Sequence, residues 1–398
     1  MNVINLIKQK MIKTPWSKYY KKEERKIKVE DISIYEMLEK CSKDRDKNIA
    51  INYYGKQITY KELLHKINQA AKAFRSQGIR RGDVVTICMP NTPEALVAFY
   101  AVNKIGAIAN MIHPLSGEKE IKEYLTSTHS VMLIMIDICY EKVKNIIKET
   151  DVYKTIVTSA SDSMNFLLAF GYQVTQGYKV KKPKRSEEYV YWKDFIRKGL
   201  NYHAKEDYHT TKDTPAVILH SGGTTGSPKG IILTNGNFNA LTEQAKIIFK
   251  HLEPGEKVLA IMPIFHGFGL GVSINAPLDL GCEVILIPQF NAKKFDKLIE
   301  KYKPNILFGV PTLYEALINT KNDKLNLRML KYIISGGDSL SPSLERRINV
   351  YLSNHGANIT ISQGYGMTES LAAVALSFGE ANKPGSIGIP FPSNYIKI

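Results

Sequence analysis

The chain has 398 residues, 44% of them hydrophobic and 23% charged, which excludes a disordered polypeptide and gives length for two or three packed subdomains. A net charge of +16 raises nucleic acid as a partner, but the lysines are scattered and no basic repeat with interleaved aromatics occurs. Nucleic acid is therefore disfavoured, and the charge suits steering of small anions such as nucleotides and carboxylates.

The opening residues, MNVINLIKQK, hold too short an apolar stretch for a signal peptide, and no later segment has the length of a membrane span. Thr59 and Glu62 form a capping box, after which Leu63, Leu64, Ile67, Ala70, Ala71 and Phe74 recur at helical spacing until Gly78. Residues 84–89 read as a strand, 92–105 as a helix and 131–136 as a further strand. The stretch 159–213 turns polar, tyrosine-rich and basic, and is expected to be a connection anchored by Trp192 and Phe195. Inside it an apolar turn at 164–170, MNFLLAF, precedes the basic run 179–185, KVKKPKR. That pairing suits peripheral contact with an anionic membrane through 164–185, although an ordinary surface insertion with a solvated charge run is the preferred reading.

Residues 216–219 form an apolar run, and strands are expected at 258–262, 283–287, 306–308, 332–335 and 358–362. Helices are expected at 292–302, 312–319 and 342–353. The fold class is α/β, with mostly parallel sheets flanked by helices in two lobes, 1–158 and 214–380, and a smaller β-rich portion opening at 381–398. Tyr395 to Ile398 read as the start of a strand, so further polypeptide is expected to follow. Cys41, Cys88, Cys139 and Cys282 stand far apart without CxxC spacing, as expected of reduced thiols in a cytoplasmic protein. The sequence does not fix an oligomeric state.

Residues 221–230 read SGGTTGSPKG. Gly222, Gly223 and Gly226 allow backbone N–H groups to approach an anion, Ser221, Thr224, Thr225 and Ser227 add hydroxyls, and Lys229 adds a mobile charge. The order of Ser227, Pro228 and Lys229 does not match a P-loop, and composition alone leaves a surface loop equally open. A second element, Gly336-Gly337-Asp338, and a third, Gly364-Tyr365-Gly366-Met367-Thr368-Glu369, also follow apolar runs, where α/β sheets bind ligands. Tyr365 offers a face for a base, Thr368 a hydroxyl for a phosphate and Glu369 an oxygen ligand for Mg²⁺. His266, in PIFHGFGL, is a candidate catalyst or a satisfied core residue, and no partner at metal spacing supports zinc.

Together SGGTTGSPKG, MPIFHGFG, SGGDSL, GYGMTES and KPGSIGIPFP make the chain resemble the adenylate-forming (AMP-binding) enzymes, whose members include acyl-CoA synthetases, peptide-synthetase adenylation domains and luciferases. The resemblance implies ATP, Mg²⁺ and CoA as ligands, with a carboxylic acid activated to an acyl-adenylate, a fatty acid in first place. By residue, it puts Thr224, Thr225, Ser227 and Lys229 on the β and γ phosphates, Tyr365 on adenine, Thr368 on the α-phosphate and Glu369 on Mg²⁺. It puts His266 beside the reacting carboxylate, and Gly336, Gly337 and Asp338 between adenine and acyl chain, although Asp338 departs from the small neutral residue usual there. The family's mobile C-terminal domain is not in this sequence, so binding with poor turnover is expected. An amino-acid-activating domain and a non-catalytic nucleotide-binding module stay open.

Overall fold

Runs of β-branched and aliphatic residues pair into two sheets in the computed structural model, which describes residues 14–203, 210–221, 229–320 and 322–397. Among the described residues one sheet has seven strands, in the order Tyr189–Tyr191, Lys154–Thr158, Ser130–Ile136, Val84–Cys88, Ile108–Ile112, Pro215–Ser221 and Lys229–Thr234. All neighbours are parallel except the last pair. The other has nine, in the order Ile389–Pro390, Ala375–Leu376, Ser362–Tyr365, Tyr332–Ser335, Ile306–Gly309, Lys257–Ala260, Glu283–Leu286, Ile49–Tyr53 and Lys56–Thr59. Its middle is parallel and both ends are antiparallel.

Sheet membership does not follow chain order. The early hairpin at 49–59 lies in the sheet of the later half, with Asn52 Nδ2 donating to Glu283 Oε1 at 2.8 Å. The hairpin at 215–234 in turn completes the sheet of the earlier half. Packed on the seven-stranded sheet lies the helix Pro93–Lys104, buried from Pro93 to Asn103, with Thr92 capping Ala95 N–H. Asn103 accepts from Tyr35 N–H and donates to Asn235 Oδ1, tying the helices Ile34–Cys41 and Asn235–Ile248 to it. Glu94, on the same helix, is held by Ser163, and burial pushes its carboxyl up to about 7.

The capping box at Thr59 and Glu62 opens the helix Tyr60–Ser76, and Gly78 beyond it takes φ +91. Within 159–213, Tyr189–Tyr191 is the edge strand of the seven-stranded sheet, and the helix Trp192–Gly199 buries Phe195 edge-on against Phe74. The apolar turn expected at 164–170 is instead the start of a helix, Phe166–Thr175. The strand expected at 358–362 is displaced onto Ser362–Tyr365. Ile359 and Ile361 owe their apolar character to packing against the core beneath the sheet, not to pairing. Residues 395–397 form no strand. Cys88, Cys139 and Cys282 are buried free thiols, the Sγ atoms of Cys88 and Cys139 being 3.8 Å apart. Among the described residues no helix is long and apolar enough to cross a membrane.

Candidate functional site

Four neighbouring parallel strands, Ser362–Tyr365, Tyr332–Ser335, Ile306–Gly309 and Lys257–Ala260, present their carboxyl ends along one side of the nine-stranded sheet, the usual ligand side of such sheets. The loops leaving them enclose a cavity of about 490 Å³ lined by Met262, His266, Val310, Gly337, Gly366 and Thr368, among others. His220, from the seven-stranded sheet, also lines it. The short turn Thr368–Ser370 lies against the strands carrying Ser221 and Lys229, which pair with each other directly. Gly222, Gly223, Thr224, Thr225, Gly226 and Ser227 lie outside the described residues. His266, Gly337, Gly366, Met367 and Thr368 are thus brought together, with Ser221 and Lys229 next to them.

The turn after Tyr365 closes tightly on itself. Ala372 N–H donates to Met367 O at 2.9 Å, and a Cβ on Gly366 would stand 2.0 Å from Ala372 O. Leu371 and Ala372 pay for this with φ of +52 and +62, a left-handed region that costs a residue with a Cβ roughly 1–2 kcal/mol. Ala372→Gly is therefore expected to raise stability by about 1 kcal/mol in urea unfolding. No gain, or a loss, would show that Ala372 is unstrained.

A second, apolar cavity of about 90 Å³ runs between the helix Asn235–Ile248 and the same sheet, lined by Leu241, Val272, Ile334, Gly336, Gly364 and Tyr365 among others. It meets the first cavity at Phe268, Gly337, Gly366 and Ala372. The apolar segment after His266 forms its wall as a π-helix, Phe268–Asn275, continued by Ala276–Asp279. Buried polar contacts hold that wall: Tyr100 OH donates to Asn275 Oδ1, while Asn275 Nδ2 and Thr242 Oγ1 both donate to Asp279 Oδ2.

Three expected site residues stand apart. Tyr365 is 40% exposed and borders the apolar cavity. Asp338 accepts its neighbour's Ser339 N–H at 2.7 Å and lines neither cavity. Glu369 is exposed, and among the described residues no trio of His, Cys, Asp or Glu is arranged to hold a metal. A lone accessible carboxylate fits Mg²⁺, which is commonly held by one or two carboxylates with phosphate oxygens and water, and does not fit a metal caged by protein alone.

Sequence reasoning overlooked a neighbouring cavity of about 370 Å³, where His113, Glu120, Tyr124 and His220 meet Ser221 and His266. Asn110 Nδ2 donates to Thr86 Oγ1 and Thr128 Oγ1, so its Oδ1 accepts, at 2.7 Å, a proton on His220 Nε2. His220 Nδ1 then keeps its lone pair, buried and with no partner among the described residues. Burial pulls His220 down to about 4. His266 opens to the cavity yet is ringed by protein, and burial, with His113 adding, holds it below its ordinary value. Both rings are neutral at neutral pH. The available signal was position: His220 directly precedes Ser221 at a strand end.

The family described as AMP-binding enzyme matches residues 38–398. A long-chain-fatty-acid–CoA ligase of Bacillus subtilis is 30% identical over 351 residues, covering 86% of this chain and 61% of its own. The chain thus spans about three fifths of that relative's length. The anthranilate CoA ligase AuaEII, solved in complex with anthranoyl-AMP, superposes with a TM-score of 0.78 at 21% identity, over 92% of this chain and 65% of its own. The N-terminal domain of FACL13 from Mycobacterium tuberculosis does so at 0.69 and 21%, over 89% and 82%. With the strand-end loops and family match in agreement, the chain belongs to the AMP-binding enzymes and has the fold seen in the N-terminal domains of CoA ligases.

Proposed function

We propose that this chain activates a carboxylic acid of the fatty-acyl class with ATP, giving an acyl-adenylate and pyrophosphate, and passes the acyl group to the thiol of CoA. The observation that carries this reading is that the apolar cavity shares Phe268, Gly337, Gly366 and Ala372 with the strand-end cavity lined by His220, His266 and Thr368. A carboxylate seated at that junction has its chain on the apolar side and the phosphates on the other.

In the first step a carboxylate oxygen bonds to the α-phosphorus as the bond to pyrophosphate breaks. In the second the thiol gives up its proton to solvent, its sulfur bonds to the carbonyl carbon, and the carbon–oxygen bond to AMP breaks. Tyr365 offers its ring to adenine and Thr368 its hydroxyl to the α-phosphate. Ser221, Thr224, Thr225, Ser227 and Lys229 take the outer phosphates. His266, being neutral, donates one N–H to the acid without forming an ion pair that would blunt its attack. Mg²⁺ held by Glu369 and phosphate oxygens would offset the repulsion between two anions and stabilise the transition-state charge. An amino-acid substrate is less well served, because Asp338, the carboxylate available for an amine, lines neither cavity.

Calorimetry with non-hydrolysable acyl-adenylate analogues tests the reading. Affinity is expected to rise with acyl length, each methylene adding at most about 1–3 kcal/mol. Val272→Phe, which fills the apolar cavity, is expected to weaken the longest analogue about tenfold and leave the shortest unchanged. Absence of binding by any analogue to folded protein would leave only the fold and remove the activity.

A further inference from the structure

The helix Phe166–Thr175, FLLAFGYQVT, carries no charged residue and is capped by Asn165, which accepts from Leu168 N–H at 2.9 Å. At about 100° per residue, Phe166, Leu167, Phe170 and Val174 fall on one arc. They are 82, 79, 64 and 58% exposed. Ala169, Tyr172 and Gln173 share the adjoining arc and are partly buried, and Gln173 Nε2 donates to Ser161 Oγ at 2.9 Å, so the helix is fastened to the protein along that side and leaves the apolar arc exposed. Of the 17 large hydrophobic residues exposed among the described residues, six fall between 166 and 178. This is a patch, not the ordinary scatter of surface apolar groups.

A basic rim adjoins it. Lys179, Lys181, Lys182, Lys184 and Arg185 occupy seven residues without an acid. The run is fastened to the protein: Lys182 pairs with the buried Asp137 at 3.1 Å, and Tyr191 OH donates to the carbonyl of the buried Pro183 at 2.9 Å. Lys181 and Arg185 reach Glu141 and Asp194 at 3.4 and 3.5 Å through exposed side chains, pairs worth little in water and free to exchange for stronger anions. Lys179 and Lys184 are exposed.

We propose that residues 166–185 seat the protein on an anionic lipid surface. The helix lies in the boundary between headgroups and acyl chains, and Lys179, Lys181, Lys184 and Arg185 lie among the headgroups. The charge pattern selects this occupant, since a charge-free apolar helix bordered on one side by cations matches an apolar interior under a negative surface. The proposal does not depend on the activity proposed above.

Sedimentation with vesicles of phosphatidylcholine alone, and of phosphatidylcholine mixed with phosphatidylglycerol, tests it. The protein is expected to partition to the mixed vesicles at least tenfold more strongly, and less so at high salt. F166D/F170D is expected to reduce that partition at least tenfold with an unchanged melting temperature, because both side chains are exposed. K179Q/K184Q, which leaves the apolar face alone, is expected to reduce it roughly twentyfold, at about fivefold per cation. The proposal is overturned if the unaltered protein stays in the supernatant, if either variant binds as well as the parent, or if F166D/F170D only separates a dimer into monomers.

Discussion

Gly366→Ala is expected to weaken binding of an acyl-adenylate analogue at least a hundredfold, about 2.7 kcal/mol. The added Cβ would meet the Ala372 carbonyl at 2.0 Å and its carbon at 2.2 Å, and this is backbone, which has no rotamer by which to withdraw. The turn can admit a methyl group only by opening, which moves Met367 and Thr368 out of the cavity wall and breaks the Ala372 N–H to Met367 O bond. Gly171→Ala, outside the cavities, is the control. Its Cβ would meet nothing within 4 Å, so binding is expected to change less than threefold. Calorimetry on both proteins, with a melting curve to confirm folding, decides the matter. Equal affinities would mean that this turn does not shape the site.

Asp279→Asn is expected to stabilise the protein near neutral pH by a few kcal/mol and to flatten part of its pH dependence. Burial raises Asp279 to about 7, against about 3.9 in an unfolded chain. Below about pH 4 both states hold the proton and the folded state keeps its full advantage. Between pH 4 and 7 the unfolded chain releases a proton that the folded protein retains, so stability falls by about 1.4 kcal/mol per pH unit. Above 7 both states are ionised and the loss is complete. Asparagine is suited to the place because Thr242 and Asn275 both donate to Oδ2. The amide oxygen can occupy that position, and its nitrogen takes the place of Oδ1, which has no partner among the described residues. Urea unfolding of both proteins at pH 5 and pH 7.5 should show a gain for the variant that is larger at the higher pH by about 2.7 kcal/mol, two pH units at roughly 1.4 kcal/mol each. An equal effect at both would show that Asp279 does not hold its proton.

Local signals were legible where the physics is local. The capping box at Thr59, the helical run 92–105 and the aliphatic runs 84–89, 131–136 and 332–335 each depend on residues a few positions apart, and each element formed within a residue or two of its expected place. The displaced strand at Ser362–Tyr365 shows the limit. The consecutive β-branched residues 359–361 looked like a strand, but pairing with Ala375–Leu376 and Tyr332–Ser335 draws the strand onto a motif containing glycine. The turn at Thr368–Ser370 was legible as chemistry because its residue types sit together in sequence. The grouping of His113, Glu120 and His220 was not, because residues far apart in sequence meet only when Ile108–Ile112 pairs with Pro215–Ser221. Nor could composition reveal that the apolar segment after His266 would wind as a π-helix, since its hydrophobicity suits any buried helix.

The placement of the early hairpin imposes an order on synthesis. Ala50, Ile51 and Tyr53 are fully buried, yet Asn52 and its partner Glu283 are 231 residues apart. At the usual pace of translation, roughly 5–20 residues per second, the hairpin waits on the order of ten to fifty seconds beside the ribosome before Glu283–Leu286 exists to pair with it. During that interval an apolar strand edge is open to any neighbouring chain, a condition that favours misassembly. The hairpin is therefore at risk of misassembly until residues 283–286 have been made. A fragment ending before residue 283 would carry the open edge permanently and would accumulate as aggregate.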